Sequence, residues 1–141
     1  MATAKWATPS ARSSDLAGSV LNVAGGIATG SESGTITYDN SSNKNLYGLI
    51  TIKLASIDPA AGGSITLRVQ LNDGTDTADG KFGGDLYTTL VNDGSSANVI
   101  MINMVRLYPF SMRFSVINNL GVTISATGNN FYVTPWNEDV S

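Results

Sequence analysis

The chain has 141 residues, 8 Lys and Arg against 11 Asp and Glu, and neither histidine nor cysteine. Its length suits one domain with its own core, because single domains cluster at roughly 100–150 residues. Lack of His and Cys excludes imidazole catalysis, thiol nucleophiles, Ser–His triads, disulfides and the usual zinc, iron–sulfur and haem–His sites. Charged residues make up 13% of the chain and the net charge is −3. That is about half the usual charge density of a soluble domain. It argues against nucleic acid or an anionic membrane, which both select clustered Lys and Arg.

The N-terminus carries Lys5 and Trp6 but no apolar run after them, so no signal peptide is expected. Residues 1–18 are rich in Ala, Ser and Thr, contain Pro9 and do not alternate. They read either as a frayed terminus or as an extended arm that orders on a neighbour, with Trp6 as an anchor. One helical turn is expected near Ser13–Leu16. Residues 19–141 are expected to form the folded domain.

Beyond the arm, strands are expected from period-two alternation. Weak ones fall at Val20–Ala24, Thr35–Tyr38 and Leu86–Val91. A stronger one runs Leu46–Leu54, with Ile50, Ile52 and Leu54 inward and Thr51 and Lys53 outward. Ser64–Leu71 is the clearest, with Ile65, Leu67, Val69 and Leu71 on one face and Thr66, Arg68 and Gln70 on the other. The turn formers between them, Ser56 to Gly63, predict a hairpin with a longer loop. Asn98–Leu107 is apolar on both faces, as in a central strand or one covered on both sides. Tyr108-Pro109-Phe110 ends it, since proline cannot donate to a ladder. Met112, Phe114 and Val116 alternate next, then Val122, Ile124 and Ala126, and Phe131–Thr134 closes the series. The sum is an all-β chain: a single antiparallel β-sandwich of about eight strands.

Candidate chemistry is sparse. The acidic loop 72–80 offers Asp73, Asp76 and Asp79 to a hard cation, but no register reproduces an EF-hand, and a solvated turn is the better explanation of the residues. A glycosidase needs a carboxylic acid in an apolar pocket. The carboxylates Asp39, Asp58, Asp73, Asp93, Glu138 and Asp139 fall instead in turns or the tail, so no enzyme activity, catalytic residue, metal or cofactor is expected. The aromatics Tyr38, Tyr47, Phe82, Tyr87, Tyr108, Phe110, Tyr132 and Trp136 show no spacing that marks a sugar platform. Arg106 and Arg113 flank the Tyr108–Phe110 corner and either meet a neighbour's carboxylates or end their strands in solvent. Trp136 either closes the end of the sandwich or anchors a contact. A Ser/Thr/Asn-rich, charge-poor surface favours permanent packing against other molecules, because it has few long side chains to immobilise.

Three phrases carry a family resemblance: Ile52-Lys53-Leu54 with Gly63-Ser-Ile-Thr-Leu-Arg68-Val69, Met104-Val-Arg-Leu-Tyr-Pro-Phe110-Ser-Met-Arg-Phe114, and Phe131-Tyr-Val-Thr-Pro-Trp136-Asn-Glu-Asp139. In these the chain resembles small virion proteins of tailed bacteriophages, the capsid decoration or cement class. The resemblance implies a jelly-roll-like sandwich, commonly a homotrimer, bound outside the major capsid protein shell and bridging neighbouring capsomers. It implies an N-terminal arm reaching a neighbour, a place on the virion surface after synthesis in the bacterial cytoplasm, and no nucleic-acid, membrane or small-molecule partner. The expected contact residues are Trp6, Arg12, Arg106, Tyr108, Phe110 and Trp136. Other readings are a tail- or fibre-associated glycan-binding module, a shell subunit and a calcium-dependent adhesin.

Overall fold

The computed structural model describes residues 4–70, 75–76, 84–91 and 98–140. Its elements are β1 (Ala4–Trp6), α1 (Gly18–Leu21), β2 (Ile36–Asp39), β3 (Tyr47–Leu54), β4 (Ser64–Gln70), β5 (Gly84–Leu90), β6 (Asn98–Arg106), β7 (Ser111–Asn119), β8 (Asn130–Trp136) and β9 (Glu138–Val140). Seven antiparallel strands build two sheets, in the orders β2-β7-β4-β5 and β6-β3-β8, and β1 pairs with β9 in a short ribbon. The chain is an all-β sandwich, as its alternation predicts.

Alternation decides which residues enter the core. Ile50, Ile52 and Leu54 of β3, Ile65, Leu67 and Val69 of β4, and Met112, Phe114 and Val116 of β7 are all buried. Phe114 and Phe131 bring β7 and β8 together across the two sheets, ring centroids 5.6 Å apart.

The expected β3–β4 hairpin does not form. The two strands lie in different sheets, and within β2–β8 only β4 and β5 are neighbours both in sequence and in a ladder. Both strands have one apolar face, so each can serve the shared core from its own side. Residues 55–63 therefore cross between layers. Here Ala60 N–H donates to the Leu120 carbonyl, and Val91 N–H to that of Gly63.

Other expectations change too. The strand foreseen at Val20–Ala24 is replaced by the turn of α1, five residues beyond the expected one. Leu16, Ala17, Val20 and Leu21 fall at helical spacing against the core. Asp15 starts the turn by accepting the Ala17 N–H at 2.9 Å. Val122–Ala126 makes only an isolated bridge, Ile124 to Ile27. Arg68, assigned to a solvent face, is buried beside Thr66, because Glu32 reaches it with a 2.7 Å ion pair and also accepts from Ser115. β6 is an edge strand rather than a central one, and its outward Val99 and Met101 are exposed.

The arm lies on its own subunit. Ala7, Ser10, Ser13 and Leu16 donate their N–H groups to the carbonyls of Asn137, Pro135, Val133 and Phe131. It thus runs antiparallel to β8 along that strand's outer edge, advancing three residues for every two of β8. A course out of step with the pleat cannot show period-two alternation, which is why residues 1–18 carry no strand signal.

Buried asparagines close the loops at the sandwich ends. Asn118 donates to the Ile27 and Val122 carbonyls, both at 2.8 Å, and accepts the Leu120 N–H. Asn40 donates to the carbonyls of Asn45 and Tyr108. Asn129 does the same for three further segments. Gly26 is held at φ 73°, with the Ile124 carbonyl where a Cβ would stand, so only glycine fits.

Candidate functional site

The register of the three-stranded sheet sets its outward face in rows. One row is Met101, Thr51 and Tyr132; another, one strand end further, is Arg106, Tyr47 and Trp136. Tyr47 and Trp136 pack with centroids 6.2 Å apart, and the Arg12 guanidinium stacks 3.8 Å from the Tyr132 centroid. Lys53 stands 5.9 Å from the same ring. Arg12 therefore pins the arm across the sheet through a cation–π contact, worth about 0.5–1 kcal/mol at an exposed site.

Between the two rows β6 carries an irregularity. Residues 103 and 104 together oppose Leu49, and Met104 adopts φ 56°, a left-handed conformation costing roughly 1–2 kcal/mol for a side-chain-bearing residue. The Asn103 carboxamide takes the Met104 N–H at 2.9 Å and holds the bulge. The bulge opens a notch of about 360 Å³, lined by Ala7 and Pro9 of the arm, Asn103 and Met104 of β6, and Trp136 of β8. This notch is mostly apolar. A depression of similar size near α1, about 400 Å³, is walled mainly by small and polar residues from 19 to 34 and has no aromatic group.

On the other side of Arg106 lies a phenol–carboxylate cluster. The Tyr108 hydroxyl donates to Asp85 at 2.9 Å, and the Arg106 N–H points to the Tyr87 oxygen at 3.4 Å. Burial raises the Tyr108 phenol above its ordinary value, and its hydrogen bond to Asp85 adds to that. The group stays a neutral donor at physiological pH and ties the corner after β6 to β5. Burial likewise raises Tyr38.

The structure thus gathers Arg106, Tyr108 and Trp136 at one end of the sandwich, with Arg12 nearby on the same outward face. Phe110 is partly buried in the corner, where its carbonyl accepts the Asn40 N–H. The Trp6 backbone pairs with Glu138 in the terminal ribbon; its side chain lies outside the described residues. Trp136 packs on Tyr47 at the end of the sandwich and walls the notch. Sequence reasoning missed Pro9, Asn103 and Met104, since a bulge leaves no mark beyond a doubled polar–apolar step. Asp73 and Asp79 of the acidic loop lie outside the described residues, and Asp76 is exposed. Among the described residues no group of three acidic side chains could hold a metal ion, and no helix is long and apolar enough to cross a membrane. Compared with known proteins, the chain matches no protein-family model, no curated protein and no solved structure.

Proposed function

We propose that this is a bacteriophage capsid decoration protein: a homo-oligomer that binds the outside of the major capsid protein shell and stabilises it by bridging capsomers. In this reading it performs no catalysis and resides on the virion surface. The sandwich would be a jelly roll, the arm serving as a fourth member beside β8. Support for that comes from the strand orders and from a chain that changes sheet at nearly every connection.

The observation that carries the reading is the notch of Ala7, Pro9, Asn103, Met104 and Trp136. It is a preformed apolar recess at a place where the backbone holds strain, and such strain clusters at binding and active sites. An aliphatic side chain of a shell loop entering it would gain roughly 1.5–3 kcal/mol. That is weak for one site, but several copies in an oligomer bind by avidity. The test places charge in the recess through Pro9→Glu and Met104→Glu, at two exposed positions, and measures occupancy on shells lacking the protein. The apparent affinity, read from occupancy against protein concentration, should fall at least about tenfold, the factor for each 1.4 kcal/mol lost. Occupancy equal to the wild type would refute the role of the notch.

A further inference from the structure

Charge is spread unevenly over the two sheets. No Asp or Glu occurs in β3, β6 or β8, and their two cations, Lys53 and Arg106, both face outward by register. Arg12 adds a third from the arm, so three of the chain's eight Lys and Arg share this face. The chain carries −3 overall, which leaves −6 on the rest of it. Arg12 and Lys53 flank the Tyr132 ring, 3.8 and 5.9 Å from its centroid. They thus stand within about 10 Å of each other, the screening length at ~0.1 M salt, and repel. Among the described residues no carboxylate makes an ion pair with Arg12, Lys53 or Arg106. The acids bordering the face have other partners: Asp15 accepts from Ala17, Asn130 and Phe131, and Asp85 from Tyr108. Val99 and Met101, opposite Lys53 and Thr51, and Met104 in the notch are 55%, 59% and 43% exposed on the same face.

We infer that this face docks an acidic protein segment, whose carboxylates meet Arg12, Lys53 and Arg106 and whose aliphatic side chains lie on Val99, Met101 and Met104. Carboxylates there would relieve the repulsion between Arg12 and Lys53, so the partner's sign is the one the surface lacks. A nucleic acid fits less well. Arg12 already stacks on the Tyr132 ring, and Tyr47 and Trp136 pack on each other, so the rings that would stack bases are engaged. A long polyanion, whether nucleic acid or membrane, would also meet the −6 on the rest of the chain, whereas a short segment stays on the face. About seven residue rises of ~3.4 Å by four chains at ~4.8 Å make the face roughly 20 Å square, about half the ~800 Å² per partner of a standard interface. Each site is therefore weak and salt-dependent. The inference rests on the proposed decoration role only for the partner's identity: it makes the shell segment that enters the notch an acidic one.

A probe that needs no shell is a short fluorescent peptide of leucine and glutamate, compared with its leucine–lysine counterpart, an oligothymidylate and phosphatidylserine vesicles. The purified protein should bind the glutamate peptide most tightly, and several-fold less tightly as NaCl rises from about 50 to about 300 mM. Arg12→Glu with Lys53→Glu should lower that affinity at least about tenfold with an unchanged circular dichroism spectrum. Arg113→Glu, an exposed cation facing outward from the other sheet, should leave it nearly unchanged. On the unmutated protein, carbodiimide should join the Lys53 amine to a peptide glutamate as an amide. Equal binding of the two peptides, tighter binding of the oligothymidylate or the vesicles, an undiminished double variant, or coupling only at other lysines would each overturn the inference. On shells lacking the protein the same double variant should lose affinity. Peptide binding without shell binding would overturn the decoration role alone. Shell binding indifferent to salt and to the double variant would overturn the acidic partner alone.

Discussion

Asn129 is the position at which one polar side chain holds most together. Its Oδ1 accepts the Ala55 N–H at 3.0 Å, while Nδ2 donates to the carbonyls of Leu21 at 3.0 Å and Ser125 at 2.8 Å and approaches Asn22 Oδ1 at 3.1 Å. It thereby joins α1, the end of β3 and the loop before β8. Asn129→Ala leaves one N–H and two carbonyls without this partner at a site that is 1% exposed. Each lost bond costs about 1 kcal/mol and a stranded buried group more, so the sum is roughly 3–5 kcal/mol. Against a typical total of about 5–15 kcal/mol that is roughly a fifth or more of the stability. At roughly 3 °C per kcal/mol for this size, the thermal midpoint should fall by about 9–15 °C. Asn129→Asp should be worse than alanine near neutral pH, because it keeps the acceptor for Ala55 but points a second oxygen at two carbonyls. Exposed Asn119→Ala should stay within about 0.5 kcal/mol of wild type. Urea unfolding followed by circular dichroism gives all three values. An Asn129→Ala loss below about 1 kcal/mol, or aspartate tolerated better than alanine, would refute the reasoning.

Two further outcomes are expected. Asp15 accepts from Ala17, Asn130 and Phe131; burial opposes its charge, but these hydrogen bonds together hold its pKa below the ordinary 3.8. A depressed carboxylate contributes stability that is complete above the ordinary value and is lost as pH falls through the lower folded one. Asp15→Asn should therefore cost about 1 kcal/mol at neutral pH, with the deficit shrinking in acid. Hydrogen exchange at the Ala17 and Phe131 amides reads this directly, and a deficit that does not change with pH would contradict it. Met104→Gly releases the left-handed strain and loses a partly exposed side chain, so its net cost should be within about 0.5 kcal/mol. Met101→Gly, in regular strand, should cost about 1 kcal/mol or more; equal costs at the two positions would mean that the bulge is unstrained.

Local rules made much of the fold legible. Alternation in β3, β4 and β7 separated core-facing from outward-facing residues, since the pleat sends successive side chains to opposite faces whatever the strand pairs with. The break at Pro109 and Trp136 as a packing group were equally readable. Composition removed most catalytic chemistries before any geometry was known.

Partnership was not legible, because it joins residues far apart in the chain. Whether β3 meets β4 in a ladder or across a core depends on the path of residues 55–63, and both arrangements satisfy the same apolar pattern. Arg68 looked like a solvent residue because its partner, Glu32, is 36 positions away. The apolar outer face of β6 is identical in sequence for a covered strand and an open edge. Side-chain period and residue chemistry are properties of a short stretch and are fixed by covalent geometry. Edge, notch and arm placement follow from long-range packing, so only the folded chain decided that the arm would seal β8 and that β5 and β6 would be edge strands.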